Sequence, residues 1–176
     1  MIKRDRFFAG FFALLFIASS SALTIAVIVS NTGRDSNNSA SADANSKKGD
    51  KMLAGTQLKD FTPVASIPEL QKLDTTPGTG AEVQPGDTVT VDYTGAVAAT
   101  GVIFQSSYDS GQPVTFGLSQ VIPGWTQGVP GMKVGGTRRL LIPAALAYGA
   151  NPPAGSGIPA NADLVFDITL HSIGGK

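Results

Sequence analysis

The chain's one tryptophan, Trp125, closes the run Val121-Ile122-Pro123-Gly124-Trp125 at the start of a short turn. Tyr93, Phe104, Phe116, Tyr148 and Phe166 fall at strand ends or beside Gly/Pro turns on both sides of it. Rings delivered from several elements to one point form a concave apolar site suited to a small apolar group. Other chemistries are poorly supplied. With no cysteine there is no disulfide, thiol nucleophile, zinc–thiolate site or lipid-modified N-terminal cysteine. The single histidine, His171, cannot build a multi-histidine metal centre.

The elements around these rings read as short strands punctuated by Gly and Pro. Thr75 to Gly80 and Gln84-Pro85-Gly86-Asp87 are turn signals. Thr88 to Tyr93 alternates polar and apolar, so Val89, Val91 and Tyr93 share an inward face. Val114, Phe116 and Leu118 repeat the alternation, as do Leu164, Phe166, Ile168 and Leu170. Arg138 to Ile142 makes another strand, stopped by Pro143. Pro123 suits the first position of a helix that Gly128 and Pro130 soon end, and Ala144 to Tyr148 has room for one further turn. These segments predict an α+β domain, an antiparallel half-barrel sheet curled around one short helix.

Charge narrows the partners. Basic and acidic residues balance at 13 each over the whole chain, and from residue 61 onward the acidic side leads by three. A mildly acidic domain offers nucleic acid no attractive field.

The N-terminus points to the membrane. Residues 1–6 carry Lys3, Arg4 and Arg6 against Asp5, and residues 7–29 hold no charged residue. As a helix, that segment spans roughly 34 Å, enough to cross a hydrocarbon core of about 30 Å. The flanking positive charge predicts a cytoplasmic N-terminus and a single-pass anchor in the cytoplasmic membrane, with the domain on the extracytoplasmic side. Cleavage as a signal peptide near Ser20-Ser21-Ala22, with secretion, is the alternative. Residues 30–60 read as a flexible polar linker, with structure resuming between Leu53 and Phe61, and 61–176 as the domain.

The motifs of that domain resemble the FKBP-type peptidyl-prolyl cis–trans isomerases. They are VTVDYTG (89–95, from Val89), FQSS (104–107), VIPGWTQGVPGMKVGG (121–136), RRLLIP (138–143), AYG (147–149) and IPANADLVFD (158–167). The resemblance implies a hydrophobic cleft for a proline ring, with Trp125 as floor and Tyr93, Phe104, Tyr148 and Phe166 as the other catalytic residues. Gln105, Val114, Gln120, Val121, Ile122 and Ile158 would bind substrate, Ile158 from a loop over the mouth. The Ile122 N–H and the Tyr148 hydroxyl would hold peptide carbonyls. Proline-containing polypeptides would be the substrates and macrolides the inhibitors, with no metal or cofactor.

Three neighbouring positions depart from the family pattern. Gln105 replaces an acidic residue, Ser110 an arginine, and Val114 an aromatic side chain. Opposite charges vanish together, so no unpaired charge is left buried. Gln105 retains the capacity to bond the Tyr93 hydroxyl. Two function classes follow: an isomerase, or a module that binds proline segments with little turnover. A purely structural surface domain is a third, weaker reading. Phe116 and Leu140 read as core, Asp109 as a turn cap, and Arg138-Arg139 as a solvated strand edge. His171 is expected on the outward face with Val165, Asp167 and Thr169.

Overall fold

The computed structural model describes residues 52–174. The predicted anchor at 7–29 and most of the tether lie outside the described residues. Among the described residues no helix is long and apolar enough to cross a membrane. Six strands form one sheet: β1 (Gln71–Thr76), β2 (Thr88–Val97), β3 (Ile103–Ser106), β4 (Val114–Gly117), β5 (Thr137–Ile142) and β6 (Leu164–Gly174). One helix, α1 (Pro123–Gly128), starts on the proline expected there. The strand order is β1-β5-β6-β2-β3, with β4 also paired to β2, and all pairs are antiparallel.

β3 and β4 share one edge of β2. β4 pairs Thr88 to Val91, and β3 pairs Thr94 to Ala96. Between them the chain leaves the sheet through a single 3-10 turn, Ser107–Asp109. They behave as one strand cut in two.

The face toward α1 holds the alternating residues read from sequence. Val89, Val91, Tyr93, Leu164, Phe166, Ile168 and Leu170 are all buried in one cluster with Trp125 and Val129. α1 lies close to β5 because Gly124 and Gly128, four apart on one helix face, present no side chain to it. A Cβ on Gly124 would collide with Ile142, and one on Gly128 would come within 2.6 Å of Leu140. Trp125, about 100° further round the helix, is thereby turned toward β2 and β6.

The opposite face departs from the sequence reading. Residues 52–60, assigned to the tether, pack on the domain as the first part of a strap running to Ile67. Leu58 buries against Ala96, Ile103 and Val165, and Ile67 against Ala98 and Leu141. Gln57 forms a bridge with Val102, and Asp109 accepts the Leu53 and Ala54 N–H groups at 2.6 and 3.2 Å. Val165 is therefore fully buried, not outward to solvent. Five apolar residues cover this face, Leu53 and then Leu58, Phe61, Val64 and Ile67 at every third position, a spacing that is the period of neither a strand nor an α-helix.

Arg138-Arg139 is not a solvated edge. Arg138 shares its face with Leu140 and Ile142, and only 5% of it is exposed. Its guanidinium donates to both Asp74 oxygens (2.6 and 3.0 Å) and to the carbonyls of Gly128 (2.8 Å) and Pro130 (3.2 Å) at the end of α1. Arg139 makes the same fork to Asp167 on the other face, and donates to the carbonyls of Asp60 and Lys59 in the strap. β1 was also absent from the sequence reading. All six of its side chains are exposed, and backbone pairing with β5 holds it.

Candidate functional site

Four strands and the helix deliver the rings to one point. β2 supplies Tyr93, β4 Phe116, β6 Phe166 and α1 Trp125. The ring centroids of Tyr93, Phe116 and Phe166 lie 5.6, 5.5 and 5.5 Å from that of Trp125. Their planes stand at 86°, 78° and 90° to the indole. Such edge-to-face sets hold rings in fixed orientation and resist collapse into a flat stack. Phe104, from β3, meets Phe166 at 5.7 Å and 85°. Tyr93, Trp125, Phe166, Ile122 and Ile158 are buried, whereas Phe104, Val114, Phe116, Val121 and Tyr148 are half-buried around them. The site has a dry floor and a partly open rim.

Local sequence explains how each ring arrives. Gly95 pairs with Phe166 across β6 and with Gln105 across β3. A Cβ there would lie 2.6 Å from Phe104 and 2.7 Å from Phe166, so the missing side chain is the space those two rings fill. The register shift beside Gly95 leaves Phe104 as an extra residue in β3. Gln105 thereby sits opposite Gly95 on the ring-bearing face, next to Phe104. A glycine inside a strand is the sequence signal for such a close approach.

The wall carrying the three departures is held from behind. Ser107 Oγ accepts the Tyr93 N–H (3.0 Å) and donates to Asp92 Oδ1 (2.8 Å). Asp92 Oδ2 lies 2.7 Å from His171 Nε2. Ser110 spends its hydroxyl on the Ser107 carbonyl at 2.7 Å, inside the turn. Among the described residues no hydrogen bond joins Gln105 to the Tyr93 hydroxyl; Tyr93 is held by its backbone bond to Ser107 and by its ring contacts. Gln120 is exposed in the turn between β4 and α1, its amide oxygen near Gly117.

Two polar groups face the apolar set. Burial pushes the Tyr93 hydroxyl far above the ordinary tyrosine value, and nearby Tyr148 adds to this because two phenolates would repel. Burial raises Tyr148 as well. Both stay protonated donors. At the start of α1, the Ile122 carbonyl accepts the Trp125 and Thr126 N–H groups, while the Ile122 N–H has no partner among the described residues. Those residues also include no group of three or more His, Asp or Glu that could hold a metal ion.

A curled antiparallel sheet wrapped on one short helix, with an indole ringed by perpendicular aromatics, defines the FKBP class of domain. The family model for FKBP-type peptidyl-prolyl cis-trans isomerases matches residues 80–171. The chain is 46% identical over 132 residues to the FKBP-type isomerase FkpA of Aeromonas hydrophila, covering 73% of this chain and 47% of that protein. It is 49% identical over 112 residues to a probable FK506-binding protein of Corynebacterium glutamicum, covering 62% and 92% respectively. The crystal structure of FkpA from Escherichia coli superposes with a TM-score of 0.55 at 41% identity, over 60% of this chain and 48% of that one. The chain belongs to the FKBP-type peptidyl-prolyl cis–trans isomerase family. It spans about half the length of the FkpA proteins it matches.

Proposed function

We propose that the domain is a prolyl isomerase acting on extracytoplasmic polypeptides, with the aromatic set around Trp125 as its proline cleft. The observation that carries this reading is the near-perpendicular placement of three rings around a buried indole beneath a half-open rim. A pyrrolidine ring is compact and apolar, and it matches that floor.

The reaction makes and breaks no bond. Resonance keeps the amide planar behind a barrier of about 18–20 kcal/mol, and X–Pro bonds exchange over tens to hundreds of seconds unaided. Water favours the polar planar amide, whereas the twisted transition state has lost that charge separation. Transfer of the bond onto Trp125, Tyr93 and Phe166 therefore favours the twisted form. The unpartnered Ile122 N–H and the protonated Tyr148 hydroxyl are donors suited to the flanking carbonyls, so that rotation is confined to one bond. Gln105, Val114, Val121 and Ile158 line the route by which the flanking residues leave. The exposed Gln120 would meet only an extended substrate.

The apolar segment at 7–29 supports a membrane-anchored or secreted setting, and the names of FK506-binding relatives support macrolides as ligands. A second reading has one specific observation behind it. Gln105, Ser110 and Val114 leave one wall neutral and less aromatic, which suits holding proline segments more than turning them. Exchange spectroscopy on a short X–Pro peptide separates the two. An isomerase accelerates exchange far beyond a Trp125→Ala/Tyr148→Phe double variant. Equal rates with retained peptide binding would establish the binding module.

A further inference from the structure

Asp163 lies outside the ring cluster, in the turn before β6, yet both of its carboxylate oxygens are engaged by backbone donors. Oδ1 accepts the Ala144 N–H at 2.7 Å and Oδ2 the Ile67 N–H at 2.6 Å, across 19 and 96 residues of sequence. Its own carbonyl accepts the Ala98 N–H at 2.9 Å. One residue thus ties the strap, the end of β2 and the segment after β5 together.

Ala144 opens the 3-10 turn Ala144–Leu146 that leads to Tyr148. Its carbonyl receives the N–H groups of Ala147 (3.1 Å) and Gly149 (3.0 Å), the two residues flanking Tyr148. The Gly149 carbonyl in turn accepts the Asn161 N–H at 2.7 Å, two residues before Asp163. The Ala144 carbonyl thus holds the peptide on both sides of Tyr148, while the N–H of the same residue is held by the Asp163 carboxylate. No side chain caps this turn from Pro143, the position just before it. Charge-assisted bonds from a carboxylate to backbone N–H groups are among the stronger hydrogen bonds, and misplacing a site group by about 1 Å can cost on the order of 100-fold in rate.

We propose that Asp163 is a positioning residue for Tyr148, setting the height of its hydroxyl over the ring cluster, and that the strap contributes by holding the second oxygen at Ile67. This rests on the role given to Tyr148 above. The Ile67 bond fixes the carboxylate's rotation, so Oδ1 faces Ala144 and not solvent. A residue of the sequence that carries no catalytic chemistry thereby couples the covered outer face of the sheet to the site on the other face.

The test is a double-mutant cycle on the full chain, with Asp163→Asn and Tyr148→Phe, read as kcat/KM on a short X–Pro peptide. Each single change is expected to lower kcat/KM about three- to tenfold, and the double variant to be no worse than Tyr148→Phe, because residues of one hydrogen-bonded network do not add. Losses that multiply would overturn the proposal. NMR gives a readout independent of turnover: in Asp163→Asn the Ala144 and Ile67 amides should exchange faster, and the Tyr148 ring shifts should move. Unmoved Tyr148 shifts in a folded Asp163→Asn would overturn the positioning role even if the chain proves only a binder. A silent Tyr148→Phe, with moved shifts in Asp163→Asn, would instead remove the catalytic reading of Tyr148 and leave the positioning intact.

Discussion

The two faces of this sheet are built from the same strands by opposite means. Toward α1, successive inward residues of β2 and β6 are large and apolar, and rings meet rings at fixed angles. On the outer face the same strands offer Thr94, Ala96, Val165 and Asp167, and an irregular strap closes part of it. There the fixing contacts are carboxylate or guanidinium to backbone, at Asp109, Arg139 and Asp163. Shape complementarity holds the site face, whereas hydrogen bonds fasten a segment without regular structure of its own. A face that must receive a ligand has to stay rigid with its rim open. A face that must only be covered can take any segment that satisfies its polar groups.

Three experiments press on that contrast. Leu58→Ala removes the strap's buried contact with Ile103 and Val165, and should lower stability by about 2–3 kcal/mol in urea unfolding. Its kcat/KM under folding conditions should match wild type, because the strap's tie to the site runs through Ile67 and Asp163 and not through Leu58, and a large rate loss would dissolve the division of labour between faces. Gly95→Ala acts on the other side, forcing Phe104 and Phe166 apart at the site. A stability loss of about 1–3 kcal/mol is expected there. Peptide isomerisation should fall several-fold, out of proportion to the change in unfolding midpoint.

The smallest effect concerns pH. The site's titratable groups are Tyr93 and Tyr148, both raised by burial. A raised folded value favours the neutral form, so their contribution is complete below the ordinary tyrosine value near 10 and is lost as pH rises above it. kcat/KM should be flat between about pH 6 and 9, where neither hydroxyl titrates. Asp74 works in the opposite sense. Its bond to Arg138 lowers it, so its contribution is present above the usual carboxylate value near 4 and fades as pH falls below that. With its side chain 52% exposed, the effect should stay within about 1 kcal/mol in acid unfolding curves.

Much of the site face was legible in the sequence because regular alternation encodes burial. Tyr93, Phe166 and their inward neighbours lie where period two puts them, and Pro123 opens α1. The same rule carried a signal that went unused: with Leu140 and Ile142 inward, Arg138 had to be inward too, and a buried guanidinium demands partners. Asp74 and the end of α1 provide them. β1 was illegible for a different reason. All its side chains are exposed, even Asp74 with its bond to Arg138, and pairing through the backbone leaves no trace in side-chain pattern. The strap was hidden because its anchors are spread among polar residues and follow the period of neither a helix nor a strand. Gln105 was placed on the site wall by motif, but its presence on the same face as Phe104 depends on an irregular register that alternation does not foretell.

The divided edge strand has a consequence for how such a domain can change. β3 and β4 each clasp a different half of β2, so neither depends on the chain between them to keep its place. Apart from Ser107 and Asp109, which hold Tyr93 and the strap, the interval up to Pro113 can lengthen, shorten or exchange charge while the frame that carries the rings keeps its ladder. Gln105 and Val114 flank that interval. Selection for new clients can therefore be met at the interval, with the indole and its surrounding rings inherited unchanged.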